Sequence, residues 1–115
     1  MESRKVNDMS ENNPLIQVSM QIILNAGDAR TEAFGALDLA KKGEFDAAAE
    51  KIKKAEEAIR QAHQAQTDVL QAEMGGEEHE LCILFIHAQD TLMTIKSELS
   101  MIKEMIELYK TVKGA

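Results

Sequence analysis

LCILFIHAQDTLMTIKSELSMIKEMIELYKTV, residues 81–112, decides the fold of this chain, because its apolar positions recur at helical and not at strand spacing. Leu81, Phe85, Ala88, Leu92, Ile95, Leu99, Ile102, Ile106 and Tyr109 follow one another at steps of four and three, the heptad seam that one helix presents to another. Two further rows flank it: Ile83, Ile86 and Met93 with Asp90 among them, and Met101, Met105, Leu108 and Val112. One seam satisfies a three-helix hairpin. A helix apolar on more than one face has to be covered from more than one side, and two partner helices from a 115-residue chain do not reach all of it. The pattern predicts a homo-oligomer.

Upstream, the same period returns in Phe45, Ala48, Ile52, Ala55, Ile59, Ala62, Gln66 and Val69, with Lys51, Lys53, Lys54, Glu56, Glu57 and Arg60 filling the positions between. The first segment is thinner. It relies on Ala26, Ala29, Ala33, Ala36 and Ala40 with Gly27 and Gly35, small residues that let helix axes approach closely, and takes its bulk from Leu15, Ile16, Val18, Ile22, Ile23, Phe34 and Leu37. Asn13 as N-cap with Pro14 as first helical residue, then Lys41, Lys42 and Gly43, bound it. These signals predict an all-α, antiparallel three-helix bundle with helices over 14–42, 45–73 and 78–113. Residues 13–115 form one domain, and residues 1–12 read as a disordered or partly ordered tail.

Thirteen basic against twenty acidic side chains give a net charge of −7, so the electrostatic footprint that a phosphate backbone requires is absent and nucleic acid is not an expected partner. The unbroken apolar run 81–86 falls far below the ~18–20 residues of a membrane span, and Met-Glu-Ser-Arg-Lys at the start has no apolar signal core. With one cysteine, Cys82, the chain has no internal disulfide and reads as cytoplasmic. A P-loop, G-x-G-x-x-G, H-E-x-x-H and Cys-x-x-Cys are all missing, as is the Glu-x-x-His pair of di-iron bundles. That disfavours a turnover enzyme with a pocket.

What chemistry there is gathers in the quoted stretch. His87 and Asp90 stand three positions apart on neighbouring helix surface, roughly 5–6 Å between Cβ atoms, among apolar residues. A neutral imidazole attacks phosphorus and leaves it again readily, which suits relay of a phosphoryl group; the competing reading is a packed histidine bonded to a backbone carbonyl, and position alone favours the latter. Asp90 is harder to explain as packing, since an isolated carboxylate under apolar cover costs roughly several kcal/mol or takes up a proton. It is met by a hard ion such as Mg²⁺ where one Asp per chain converges on a symmetry axis, by a neighbouring chain's lysine, or by solvent. Gln89, Thr91 and Thr94 supply polar partners under either reading of His87. His63, next to the second apolar stripe, reads as a satisfied structural histidine, and His79 among Glu77, Glu78 and Glu80 as a solvated loop residue. Cys82 reads as a small hydrophobe.

The stretch His87-Ala88-Gln89-Asp90-Thr91-Leu92-Met93-Thr94 resembles the signature of the IIA component of the lactose/cellobiose (chitobiose) class of the bacterial sugar phosphotransferase system. Ala26-Gly27-Asp28-Ala29-Arg30 in the first helix, and Ala62-His63 with Gln66-Thr67 in the second, agree in order and spacing, so the resemblance spans about residues 15–112. It implies a homotrimer in which His87 accepts a phosphoryl group from the phosphocarrier HPr and passes it to a IIB component, with the membrane IIC component served indirectly. It also implies that Asp90 binds one divalent metal, typically Mg²⁺, shared on the threefold axis. One position departs from the family: Thr91 stands where a second histidine commonly follows the motif aspartate, so any auxiliary role of that ring is lost or passes to the Thr91 hydroxyl. The alternative to a relay is a non-catalytic homo-oligomeric adaptor or scaffold with a structural His87. A signalling histidine-phosphotransfer domain ranks lower, because Gln89-Asp90-Thr91 and not a Lys-Gly pair comes after His87 and Ala88.

Overall fold

The computed structural model describes residues 13–76 and 82–114, and among them every regular element is helical: α1 (Leu15–Lys41), α2 (Phe45–Met74) and α3 (Ile83–Lys113). The tail 1–12 and the loop around His79 lie outside the described residues. α1 and α2 end within a residue of the sequence reading. The start of α3 needs correction: it is at Ile83 and not at 78, because Cys82 is extended (φ −128°, ψ 109°) and its carbonyl accepts the N–H groups of Phe85 and Ile86. The apolar period runs through Leu81 and Cys82 unbroken, so periodicity alone carries no mark of that backbone change.

Local chemistry sets the other ends. Asn13 Oδ1 accepts the Leu15 N–H at 2.9 Å and its carbonyl accepts from Ile16, while Pro14 has no N–H to leave unpaired. After α1 the N–H groups of Lys42 and Gly43 return to Leu39 and Ala40. Gly43 then takes φ +82°, a left-handed turn that lets the Glu44 N–H close back on the Leu39 carbonyl at 2.9 Å.

α1 is the middle helix, packed along both α2 and α3, which meet each other along a narrower line. Its alanine edge is the cause. Ala26, Ala29, Ala33, Ala36 and Ala40 are all buried, and side chains this short let two neighbours approach one axis. Against that edge α2 places Ala48, Ala55, Ile59 and Ala62, and α3 places Phe85, Ala88, Leu92, Ile95, Leu99, Ile102 and Ile106, the seam read from the sequence. Lys51 reaches Glu32 at 3.6 Å and a groove joins Val18 and Gln21 to Asp68 and Ala72, so α2 runs antiparallel to α1. Lys103 reaches Glu56 at 2.7 Å while Phe45 and Ile52 share a groove with Ile106 and Lys110, so α3 runs antiparallel to α2.

Two expectations for α1 fail. Phe34 is not core bulk: it is exposed, with the Arg30 guanidinium 5.8 Å from its ring centroid. Gly27 is not a point of close helix approach within the chain, since a Cβ built there meets nothing within 4 Å; α1 runs through it unbroken. At Gly35 the Lys51 side chain does lie close, with its Cδ 3.1 Å from such a Cβ.

Candidate functional site

The inward seam of α3 leaves a second row on its outer side. Ile83, Ile86, Met93, Met101, Met105, Leu108 and Val112 are 43–76% exposed, and with Asp90 and Ser97 they form one row at steps of three and four. At 1.5 Å per residue the row runs for roughly 44 Å. An apolar strip of that length on a lone chain is the mark of a surface covered by another molecule.

His87 and Asp90 are both exposed, contrary to the expectation of an imidazole and a carboxylate inside apolar surroundings. Phe85, Ala88 and Leu92 turn into the core, whereas Ile83, Ile86 and Met93, the apolar row that holds Asp90, are themselves exposed. Among the described residues nothing hydrogen-bonds the His87 ring, which removes the packed-histidine reading. Gln89 and Thr91 beside it are half-buried, and Thr94 is exposed. The groove lined by Val18, Arg60, Gln64 and Val69 and the one lined by Phe45, Ile52 and Ile106 do not include His87.

The other sequence candidates fall away from this patch. His63 is exposed on α2 with no hydrogen-bond partner among the described residues, so it is not the structural histidine expected there. Cys82 is buried at the start of α3, as a small hydrophobe would be. Among the described residues no three His, Cys, Asp or Glu side chains of the chain cluster to hold a metal; Asp90 offers one carboxylate. On the exposed face of α2, away from this patch, the Arg60 guanidinium holds the Glu57 carboxyl below the ordinary glutamate value.

An ion pair between α1 and α3 was not legible in the sequence. Arg30 Nε lies 3.0 Å from Glu98 Oε1, tying α1 to α3 about 16 Å along the helix from His87. Arg30 belongs to the motif quoted above, but its partner is distant in sequence, and no local spacing points to such a pair.

Residues 17–110 match the family described as "PTS system, Lactose/Cellobiose specific IIA subunit". The chain is 39% identical over 105 residues to the lactose-specific EIIA component of Lacticaseibacillus casei, covering 91% of this chain and 94% of that protein. It also superimposes on the cellobiose-specific enzyme IIA of Bacillus anthracis with a TM-score of 0.81 and 44% identity, over 85% of this chain and 90% of that one. A similar likeness holds to the chitobiose IIA in its solution complex with HPr (TM-score 0.77, 34% identity, 86% and 96% covered).

Proposed function

The chain belongs to the lactose/cellobiose-specific IIA subunits of the phosphotransferase system, and we propose that His87 is the residue through which it relays a phosphoryl group. It is a phosphotransferase component, a carrier and not an enzyme with a pocket of its own. Phospho-HPr is the donor, a reading supported by the HPr complex of its chitobiose relative, and the cognate IIB component is the acceptor, with IIC reached through it. The observation that carries the assignment is an exposed imidazole, unengaged by any described residue, inside the stretch that matches the family.

A ring nitrogen of neutral His87 attacks the phosphorus in line, so that a nitrogen–phosphorus bond forms as the bond to the donor breaks. Transfer to IIB is the same exchange in reverse, and both depend on positioning by docked surfaces. The row from Ile83 to Val112 is covered by two further copies in a homotrimer, which brings three Asp90 carboxylates together. One Asp90 carboxylate per chain fits a shared hard ion such as Mg²⁺, which Asp90 of each copy would hold and which would neutralise like charges that otherwise repel. None of the described helices is long and apolar enough to cross a membrane, which accords with a cytoplasmic carrier. The sugar is a β-linked disaccharide of the lactose, cellobiose or chitobiose type.

Incubation with phosphoenolpyruvate, enzyme I and HPr, followed by mapping of acid-labile phosphate by mass spectrometry, tests the assignment. Label on His87, absent from a folded His87→Ala chain, is the expected result. A His87→Ala chain that still relays phosphate would end the assignment of His87, and absence of any label on His87 would favour the scaffold reading.

A further inference from the structure

We propose that the first half of α1 is the surface on which HPr docks, with Met20 and Leu24 as the apolar anchors of the contact. This rests on the reading of His87 as acceptor and of phospho-HPr, the partner with which the chitobiose relative forms its complex, as donor. Three observations carry it. The first is charge: none of residues 14–27 is Asp, Glu, Lys or Arg, in a chain that is 29% charged. Burial does not account for this. Gln17, Met20, Gln21 and Leu24 are all exposed, Met20 at 46% and Leu24 at 62%, and a shallow groove runs among them, lined also by Ile16 and Asn25. Amides and apolar side chains without charge are the composition of the centre of a protein–protein contact. α2 shows the ordinary surface instead, with Glu50, Lys53, Lys54, Glu57 and Arg60 exposed.

The second observation is register. α1 and α3 each run antiparallel to α2 and so parallel to one another, and the Arg30–Glu98 pair at 3.0 Å sets Arg30 level with Glu98. His87 precedes Glu98 by eleven residues, three turns and about 20°, so it stands on the side of α3 that is turned to α1. Eleven residues before Arg30 on α1 is Ser19, which is buried; the next residue is the exposed Met20. The uncharged stretch is thus centred at the level of His87, one helix spacing of roughly 8–10 Å away.

The third is size. A standard contact takes about 800 Å² of each partner, a disc of roughly 16 Å radius. Centred on His87, such a disc takes in Met20 and Leu24 on one side and the outer row of α3 on the other. That row goes to further copies in the homotrimer, which leaves HPr the α1 side, where it brings apolar and uncharged groups around its phosphoryl group. Phe34, the other large apolar residue exposed on α1, lies about 21 Å along the helix from Met20 and outside the disc, beside Arg30.

Amide NMR shifts of the full chain titrated with unphosphorylated HPr map the face without any phosphoryl transfer. The expected footprint covers residues 16–25 and the turn of His87 and spares residues 50–60 of α2. In the relay assay Leu24→Asp should raise KM for phospho-HPr about tenfold and leave kcat within about twofold, Leu24→Gln should move KM the same way by less, and Lys54→Glu should move neither. Sedimentation of Leu24→Asp should match that of the native chain. A footprint on α2, an unchanged KM in Leu24→Asp, or loss of assembly in that variant, which would give this face to a second copy, overturns the proposal. Absence of any label on His87 together with a footprint on α1 overturns the relay reading instead and leaves HPr on this face.

Discussion

The inner and outer faces of α3 are made of the same materials, isoleucine, leucine and residues of similar bulk, and they stand in opposite conditions. On the inner face Phe85, Leu92, Ile95, Leu99, Ile102 and Ile106 are at most 8% exposed; on the outer face no large apolar residue from Ile83 to Val112 is less than 43% exposed. The difference lies in what the neighbours offer. α1 brings an alanine edge that admits the inner face, and none of the described residues passes over the outer one. Apolar character thus marks what must be covered and leaves open whether the cover comes from the chain itself. The only breaks in the outer row are Asp90 and Ser97, polar positions of the kind that set register in helical assemblies.

The sharpest way to test that contrast is to cut into each face. Leu92 is fully buried, and Leu92→Ala should cost about 2–5 kcal/mol of unfolding free energy, read by urea denaturation. Met101→Glu on the outer row should lower the stability of the isolated chain by no more than ~0.5 kcal/mol while abolishing self-association in analytical ultracentrifugation. A Met101→Glu chain that still assembles would show that the row is covered by something other than a copy of itself. Asp90→Asn sharpens the comparison further. It should remove any dependence of assembly on Mg²⁺, checked by sedimentation with and without chelator, and leave the helix content of circular dichroism unchanged. Gly27→Ala is the mildest test: with open space where the Cβ goes, α1 should gain about 0.5–1 kcal/mol in the isolated chain. Loss of assembly with that variant would extend the covered surface to α1.

Much of this was legible in the chain. The seam from Phe85 to Ile106 and the alanine edge of α1 follow from spacing, because period 3.6 leaves few other ways to bury those residues. His87 and Asp90 were legible as residue types in an unexpected place, though their exposure was not, since the apolar row that holds Asp90 is itself exposed, which spacing does not reveal. Phe34 shows the same limit from the other direction: a large apolar residue one position from Ala33 lies outside the core under an arginine. The extended backbone at Cys82 and the Arg30–Glu98 brace escaped altogether, the first because the apolar period continues across it and the second because ion pairs between helices leave no trace in local sequence.

By itself the sequence determined three helices, the rows of apolar residues along each, and the stretch that carries the candidate chemistry, because these depend on backbone propensity and periodicity within a few turns. Only the tertiary structure decided which row of α3 turns inward and which is left bare beside His87. A periodic pattern reads the same at any rotation about the helix axis, and the choice among its rows is made by the shape of the helix that packs against it.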